Sequence, residues 1–234
     1  MLFVLVHSPS VGPATWSAVA GRLADAGQAA VVPSLLTVGE GGPPFWPRVT
    51  AAVGDELAGT DPAGPLVLVA HSNAGVFVPV IRCSLARPVA CSIFVDASLP
   101  AEPGPTPMVG EEFLPFLRGL AGPDGWLPRW TDWWDEPDVA ALFPDPATRE
   151  AIASEQPRLP LAYYEEQVPV PGGWQDHRCA YLQFGPPYDT QAREARQRGW
   201  EVATLPGEHL HQVVDPDGVA GALLGLAEGG GPMS

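Results

Sequence analysis

The sequence predicts an α/β protein: a mostly parallel six-stranded sheet with helices on both faces, interrupted once by a helical lid insertion. Three observations carry this. Short apolar runs alternate with amphipathic segments, as in strand-helix-strand units whose crossover helices cover both faces of a sheet. The runs are apolar at every position, as strands buried on both sides must be. The alternation stops between residues 97 and 178, a stretch dense in Pro and aromatic residues, and then resumes. The expected layout is a core of 1–96 and 179–234, with 97–178 as a lid.

Leu2 to Val6 is the first apolar run, and His7 to Pro13 a loop. Trp16, Val19, Ala20 and Leu23 then recur at helical spacing, with Gly27 where that helix would stop. Ala29 to Val32 reads as the second strand, Trp46 to Leu57 as the second helix, and Leu66 to Val69 as the third strand. A further helix is expected over Val76 to Leu85, and Ser92 to Asp96 forms the fourth strand. Ala180 to Phe184 and Glu201 to Leu205 supply two more, separated by a helix over Thr190 to Arg198. Asp215 and Pro216 open a closing helix to Ala227, and Gly229 to Ser234 is expected as a loose tail. Inside the insertion, Glu111 to Leu120 and Pro146 to Glu155 read as helical.

At 234 residues and 46% hydrophobic content the chain supports one well-buried core. Its formal charge is -15, and all twelve basic residues are Arg. That surface repels phosphate backbones and anionic lipid, so nucleic acid and membrane partners are disfavoured. Cys83, Cys91 and Cys179 are odd in number and lack metal-ligand spacing, so buried free thiols are expected, with neither a disulfide framework nor a metal site. Met1 to Val6 has no basic leader and no apolar stretch reaches membrane-spanning length, which points to the cytoplasm.

The third strand runs directly into Ala70-His71-Ser72-Asn73-Ala74, with a helix at once behind it. A strand-to-helix turn this sharp strains its central residue and demands small neighbours two positions away, which Ala70 and Ala74 supply. The strain lifts the Ser72 hydroxyl clear of the sheet, where the first N–H groups of the following helix make an anion site. In a parallel sheet ligands bind beyond the carboxyl ends of the strands, where Ser8, Ser72, Asp96, Asp189 and His209 would all lie. A Ser hydroxyl needs a base to take its proton, and the base a third group to hold its tautomer.

This stretch resembles the nucleophile elbow of the α/β-hydrolase fold, with Ala in place of the outer glycines of G-x-S-x-G. In that family the catalytic His lies between the last strand and last helix, often as Gly-His with a Pro seven residues later. His209 keeps this spacing to Pro216, with Glu208 replacing the Gly. His211 is the competing candidate; His7 and His71 are expected to pack under the site, and His177 to lie at the surface. Most members take the acid from the position of Asp189, which also stands where a helix N-cap belongs. Asp96 closes the fourth strand at a position similar to the acid of one branch of the haloalkane dehalogenases, and is preferred here over Asp189.

His7-Ser8-Pro9 through Gly12 to Trp16 is similar in spacing to the His-Gly-x stretch of small esterases and hydroxynitrile lyases of this fold. The resemblance implies a Ser-dependent hydrolase acting on an ester, thioester or lactone without a cofactor, and a monomer or homodimer is expected. Its substrate is expected to be small and apolar or aromatic, in a pocket lined by Pro9, Trp126, Trp130 and Trp133. In those relatives the residue two after the His gives its N–H to the oxyanion, and Pro9 has none. The Asn73 N–H remains, and a Ser8 or Ser10 hydroxyl is expected to replace the missing donor, with Ser8 favoured. Two rivals stay open: a lyase or cyclase on the same scaffold, motivated by Pro9, and a ligand-binding receptor-like protein.

Overall fold

In a computed structural model, which describes residues 1–61, 63–101 and 104–229, the apolar runs form one sheet. Strands β1 (Leu2–Val6), β2 (Ala29–Val31), β3 (Leu66–His71) and β4 (Val89–Val95) precede a two-stranded ribbon, β5 (Thr106–Pro107) and β6 (Gln167–Val168); β7 (Arg178–Gln183) and β8 (Glu201–Thr204) follow. The sheet order is β2-β1-β3-β4-β7-β8, and every pairing within it is parallel. The helices are α1 (Ala14–Asp25), α2 (Trp46–Ala58), α3 (Val78–Ser84), α4 (Leu114–Leu120), α5 (Glu136–Ala141), α6 (Pro146–Glu155), α7 (Leu161–Tyr164), α8 (Asp189–Gln197), α9 (His211–Val214) and α10 (Pro216–Glu228). The tail expected at the C-terminus lies, beyond Gly229, outside the described residues.

Alternate residues of each strand go to opposite layers. Phe3, Leu5, Val67, Val69, Ile93 and Leu182 pack with Trp16, Val19 and Leu23 of α1 and Leu223 of α10. Val4, Val6, Leu66, Leu68, Phe94 and Tyr181 pack with Val49 and Val53 of α2, Ile81 of α3 and Ala192 of α8. Both faces are thus covered, which explains the unbroken apolar runs.

Between β4 and β7 the insert adds four short helices, the small ribbon and a 3₁₀ turn at Trp130–Trp133. It is bound to the core by polar contacts as well as packing. Pro13, at the start of α1, offers no side-chain cap, and Glu155 of α6 accepts the Ala14 N–H at 2.8 Å instead. Phe45, before α2, is likewise uncapped from its own segment, and Glu166 accepts its N–H at 2.8 Å. The Ser10 and Tyr164 hydroxyls are 2.6 Å apart, and Tyr163 donates to the Asn73 side chain at 2.5 Å.

Several expectations are corrected. Asp189 does not cap α8; Tyr188 holds that position, and Asp189, the first helical residue, accepts from Gln183 Nε2 at 2.5 Å. The helix after the elbow begins as a 3₁₀ turn, Ser72–Phe77, and becomes α-helical only at Val78, while α4 begins at Leu114 rather than Glu111. Cys83 is exposed, unlike Cys91 and Cys179. His177 is half-buried, its Nε2 2.7 Å from Ser92 Oγ.

Three imidazoles are held neutral by burial. It lowers His7 and His177 to about 4, and His71 well below its ordinary value. His7 is fully buried, with Nε2 accepting the Leu35 N–H and Nδ1 donating to the Ser8 carbonyl. Between about pH 4 and 6.5 the unfolded chain binds protons there that the folded chain does not, so stability falls as pH drops through that window. From His7 alone the loss is on the order of 3 kcal/mol. Urea unfolding at pH 7, 5.5 and 4.5 is expected to show the decline, and His7→Gln to flatten it; parallel profiles would refute the assignment.

Candidate active site

Ser72 sits at the C-terminal end of β3 with φ of +60°, in the left-handed region that β-carbon-bearing residues avoid. The turn is locked by Ser98, whose N–H donates to the Ser72 carbonyl at 3.1 Å. Ala70 and Ala74 are fully buried against this turn, but the tightest demand falls on Gly75. A Cβ there would come within 2.1 Å of the Ser98 carbonyl oxygen. From the sequence only Ala70 and Ala74 are expected to be held small by the turn.

Asp96 follows β4 directly and also has positive φ, +41°. It is 1% exposed. One carboxylate oxygen accepts the Phe184 N–H at 2.8 Å, the other lies 3.1 Å from His209 Nδ1, and the Asp96 N–H donates to the Leu182 carbonyl at 2.8 Å. The β4–β7 pairing therefore binds this carboxylate from the neighbouring strand while aiming it at the His209 loop. His209 Nε2 lies 2.9 Å from Ser72 Oγ. With a carboxylate at Nδ1, the proton of the neutral ring belongs there, and Nε2 is left to accept the Ser72 hydroxyl. Asp189 bonds Gln183 instead of a histidine. His211 packs edge-on against Phe184, 5.5 Å between centroids, and over Gly207.

A family model for the alpha/beta hydrolases matches residues 3–222. The chain belongs to the alpha/beta hydrolase family. As a member it is a hydrolase, and its fold agrees with solved structures of that kind. An extracellular alpha/beta-hydrolase from a Paenibacillus species aligns with a TM-score of 0.75 at 18% identity, over 97% of this chain and 98% of its own. A pyrethroid hydrolase from Sphingobium faniae aligns at 0.72 and 20% identity, over 98% of each chain. A methylesterase from Arabidopsis aligns at 0.65 and 17%, over 96% of this chain and 97% of its own. No curated protein matches in sequence.

In this hydrolase Ser72 and His209 open onto a cavity of about 630 Å³. Trp130, Trp133 and Trp134 of the insert line it, with Phe113 and Tyr164. Trp126 and Pro9, both expected there, are not among the lining residues; Trp126 is turned into a bridge with Pro160. Trp134 was not singled out from the sequence as a pocket residue, yet it stacks on Phe113 and Phe116 at the cavity edge. Ser8 and Ser10 line the same cavity as Ser72. Ser8 Oγ accepts the Ser10 N–H at 3.3 Å, whereas Ser10 Oγ is engaged with Tyr164. The Asn73 side chain is committed to the insert, donating to the Met108 carbonyl and accepting from Tyr163.

His71 lies under His209, as expected. Its Nε2–H donates to the His209 carbonyl at 2.8 Å, and the two rings are 4.6 Å apart. Sequence reasoning missed Tyr188. Its ring lies 5.0 Å from His209 and within 8° of parallel. Burial pushes the Tyr188 phenol up to about 12, partly offset by the Ser72 hydroxyl beside it, so it stays protonated at neutral pH. Among the described residues no group of His, Cys, Asp and Glu is arranged to hold a metal ion, and no helix is long and apolar enough to cross a membrane.

Proposed function

We propose that this chain is a serine hydrolase cleaving an ester, thioester or lactone of a small, largely apolar substrate through a Ser72–His209–Asp96 triad and an acyl-enzyme. The observation that carries it is the hydrogen-bonded line from Asp96 through His209 to Ser72, ending at an aromatic-walled cavity. His209 Nε2 takes the Ser72 proton as Oγ bonds to the carbonyl carbon, and Asp96 balances the imidazolium. The same proton then goes to the leaving group, and water repeats the sequence on the acyl-enzyme. Among the similar structures the methylesterase is named for an ester-cleaving activity and the pyrethroid hydrolase for a hydrolytic one, which supports this chemistry. The insert serves as the lid, its tryptophans selecting apolar or aromatic groups. We place the protein in the cytoplasm, as a monomer or homodimer without nucleic acid or membrane partners.

The oxyanion needs donors beyond the Asn73 N–H, and Pro9 has none to give. Ser8 is the replacement: it lines the cavity and its hydroxyl oxygen receives the Ser10 N–H, leaving its proton to donate. Ser8→Ala is expected to lower kcat about 100- to 1,000-fold with the fold intact. A rate within twofold of wild type, measured on the best ester found, would remove Ser8 from this role. Pro9 is also the one feature favouring a non-hydrolytic lyase. Turnover of p-nitrophenyl esters, together with fluorophosphonate labelling mapped to Ser72, separates the two; labelling without measurable turnover would favour the lyase.

A further inference from the structure

Ser72 and Asp96 each hold one ring nitrogen of His209. Contacts at two corners fix a ring's position but leave it free to roll about the line joining them. Each roll carries both hydrogen bonds out of the ring plane, where they weaken. The nearly parallel Tyr188 ring, 5.0 Å away, opposes that roll.

Tyr188 is itself fixed. It ends the 3₁₀ turn Pro186–Tyr188, where two prolines restrict the backbone and its N–H donates to the Gly185 carbonyl at 3.2 Å. This turn is fastened to the loop that carries His209. Gly207 N–H donates to the Phe184 carbonyl at 3.1 Å, and a Cβ on Gly185 would come within 2.9 Å of the Gly207 carbonyl oxygen. Phe184 also gives its N–H to Asp96, so one strand end aligns the acid, the base and the stacked ring.

We propose that Tyr188 is a positioning residue for His209: its ring holds the imidazole plane in line with Ser72 and Asp96 and favours the imidazolium formed as the Ser72 proton arrives. The face of a phenol ring is electron-rich and attracts a cation more strongly than a neutral ring. His209 is neutral before proton transfer and charged after it, so the contact strengthens toward the transition state, which is what raises a rate. The other groups facing the imidazole are the Asp96 carboxylate, the His71 ring, held neutral by burial, and Trp130 at 6.0 Å. In the usual family arrangement this loop supplies the acid; here, with Asp96 directly after β4, it supplies a ring instead.

The inference rests on His209 being the base, and the experiment keeps the two apart. The rate of fluorophosphonate inactivation is followed against pH for wild type, Tyr188→Leu, Tyr188→Met and Tyr188→Phe, with the adduct located by mass spectrometry. Both ring-deleting variants are expected to slow inactivation about 10- to 100-fold and to shift its acidic limb about half a unit lower. Tyr188→Phe, which keeps the ring, is expected to recover most of both effects. Inactivation of the ring-deleting variants at the wild-type rate with an unmoved limb overturns the proposal and leaves His209 as base. A Tyr188→Phe rate more than tenfold below wild type overturns it too, and stands even if the Leu and Met variants fail to fold. Wild-type protein that takes no label at Ser72 overturns both readings together.

Discussion

Ser72→Ala is expected to lower ester turnover on the order of a million-fold while leaving the fold in place. The side chain projects from a turn whose backbone is held by Ser98, Gly75 and the two flanking alanines, none of which depends on the hydroxyl. Alanine is no better suited than serine to φ of +60°, so the strain is unchanged and stability should move little. What remains would be the modest acceleration from oxyanion donors and binding alone. Activity within 100-fold of wild type, with no contaminating esterase, would place the nucleophile elsewhere.

Asp96→Asn is the second large expectation, a loss of about 10,000-fold in kcat. The amide is nearly isosteric and one end can still accept the Phe184 N–H, so Asp96 remains well seated. Its other end faces His209 Nδ1 at 3.1 Å, and an NH₂ placed there would favour the tautomer that puts a proton on Nε2, against the Ser72 hydroxyl. Asp189→Asn, by contrast, disturbs only a contact with Gln183 at the start of α8, and should change kcat less than threefold. Steady-state kinetics of the two variants side by side decide the matter, and the opposite ranking would return the acid to the β7 loop.

The elbow was legible because its physics is local: an apolar strand, a small-x-Ser-x-small turn and an immediate helix leave little else to fold into. The two carboxylates were harder, since Asp96 and Asp189 both follow parallel strands and sequence alone leaves their distances to the histidine open. The pairing of β4 with β7 separates them, by setting Asp96 beside the Phe184 N–H. Tyr188 was invisible for a similar reason, because its stack on His209 exists only once two distant loops meet. Within the insert, α6 was readable over Pro146 to Glu155, whereas β5 and β6, two residues each, carry no periodicity to read. Trp126 and Trp133 look alike in composition; a backbone bridge to Pro160 sends one away from the cavity that the other lines.

The insert's carboxylates at the starts of α1 and α2 bear on how the molecule folds. Each satisfies a donor at the start of a core helix whose own segment provides no side-chain acceptor, while Tyr163 and Tyr164 anchor Asn73 and Ser10 beside the reactive serine. A chain with residues 97–177 excised would leave two core helices frayed at their starts and the walls around Ser72 unbraced. The two parts are therefore expected to melt as one cooperative unit, and a protease nick that frees the insert to dismantle the catalytic chamber instead of merely uncovering it.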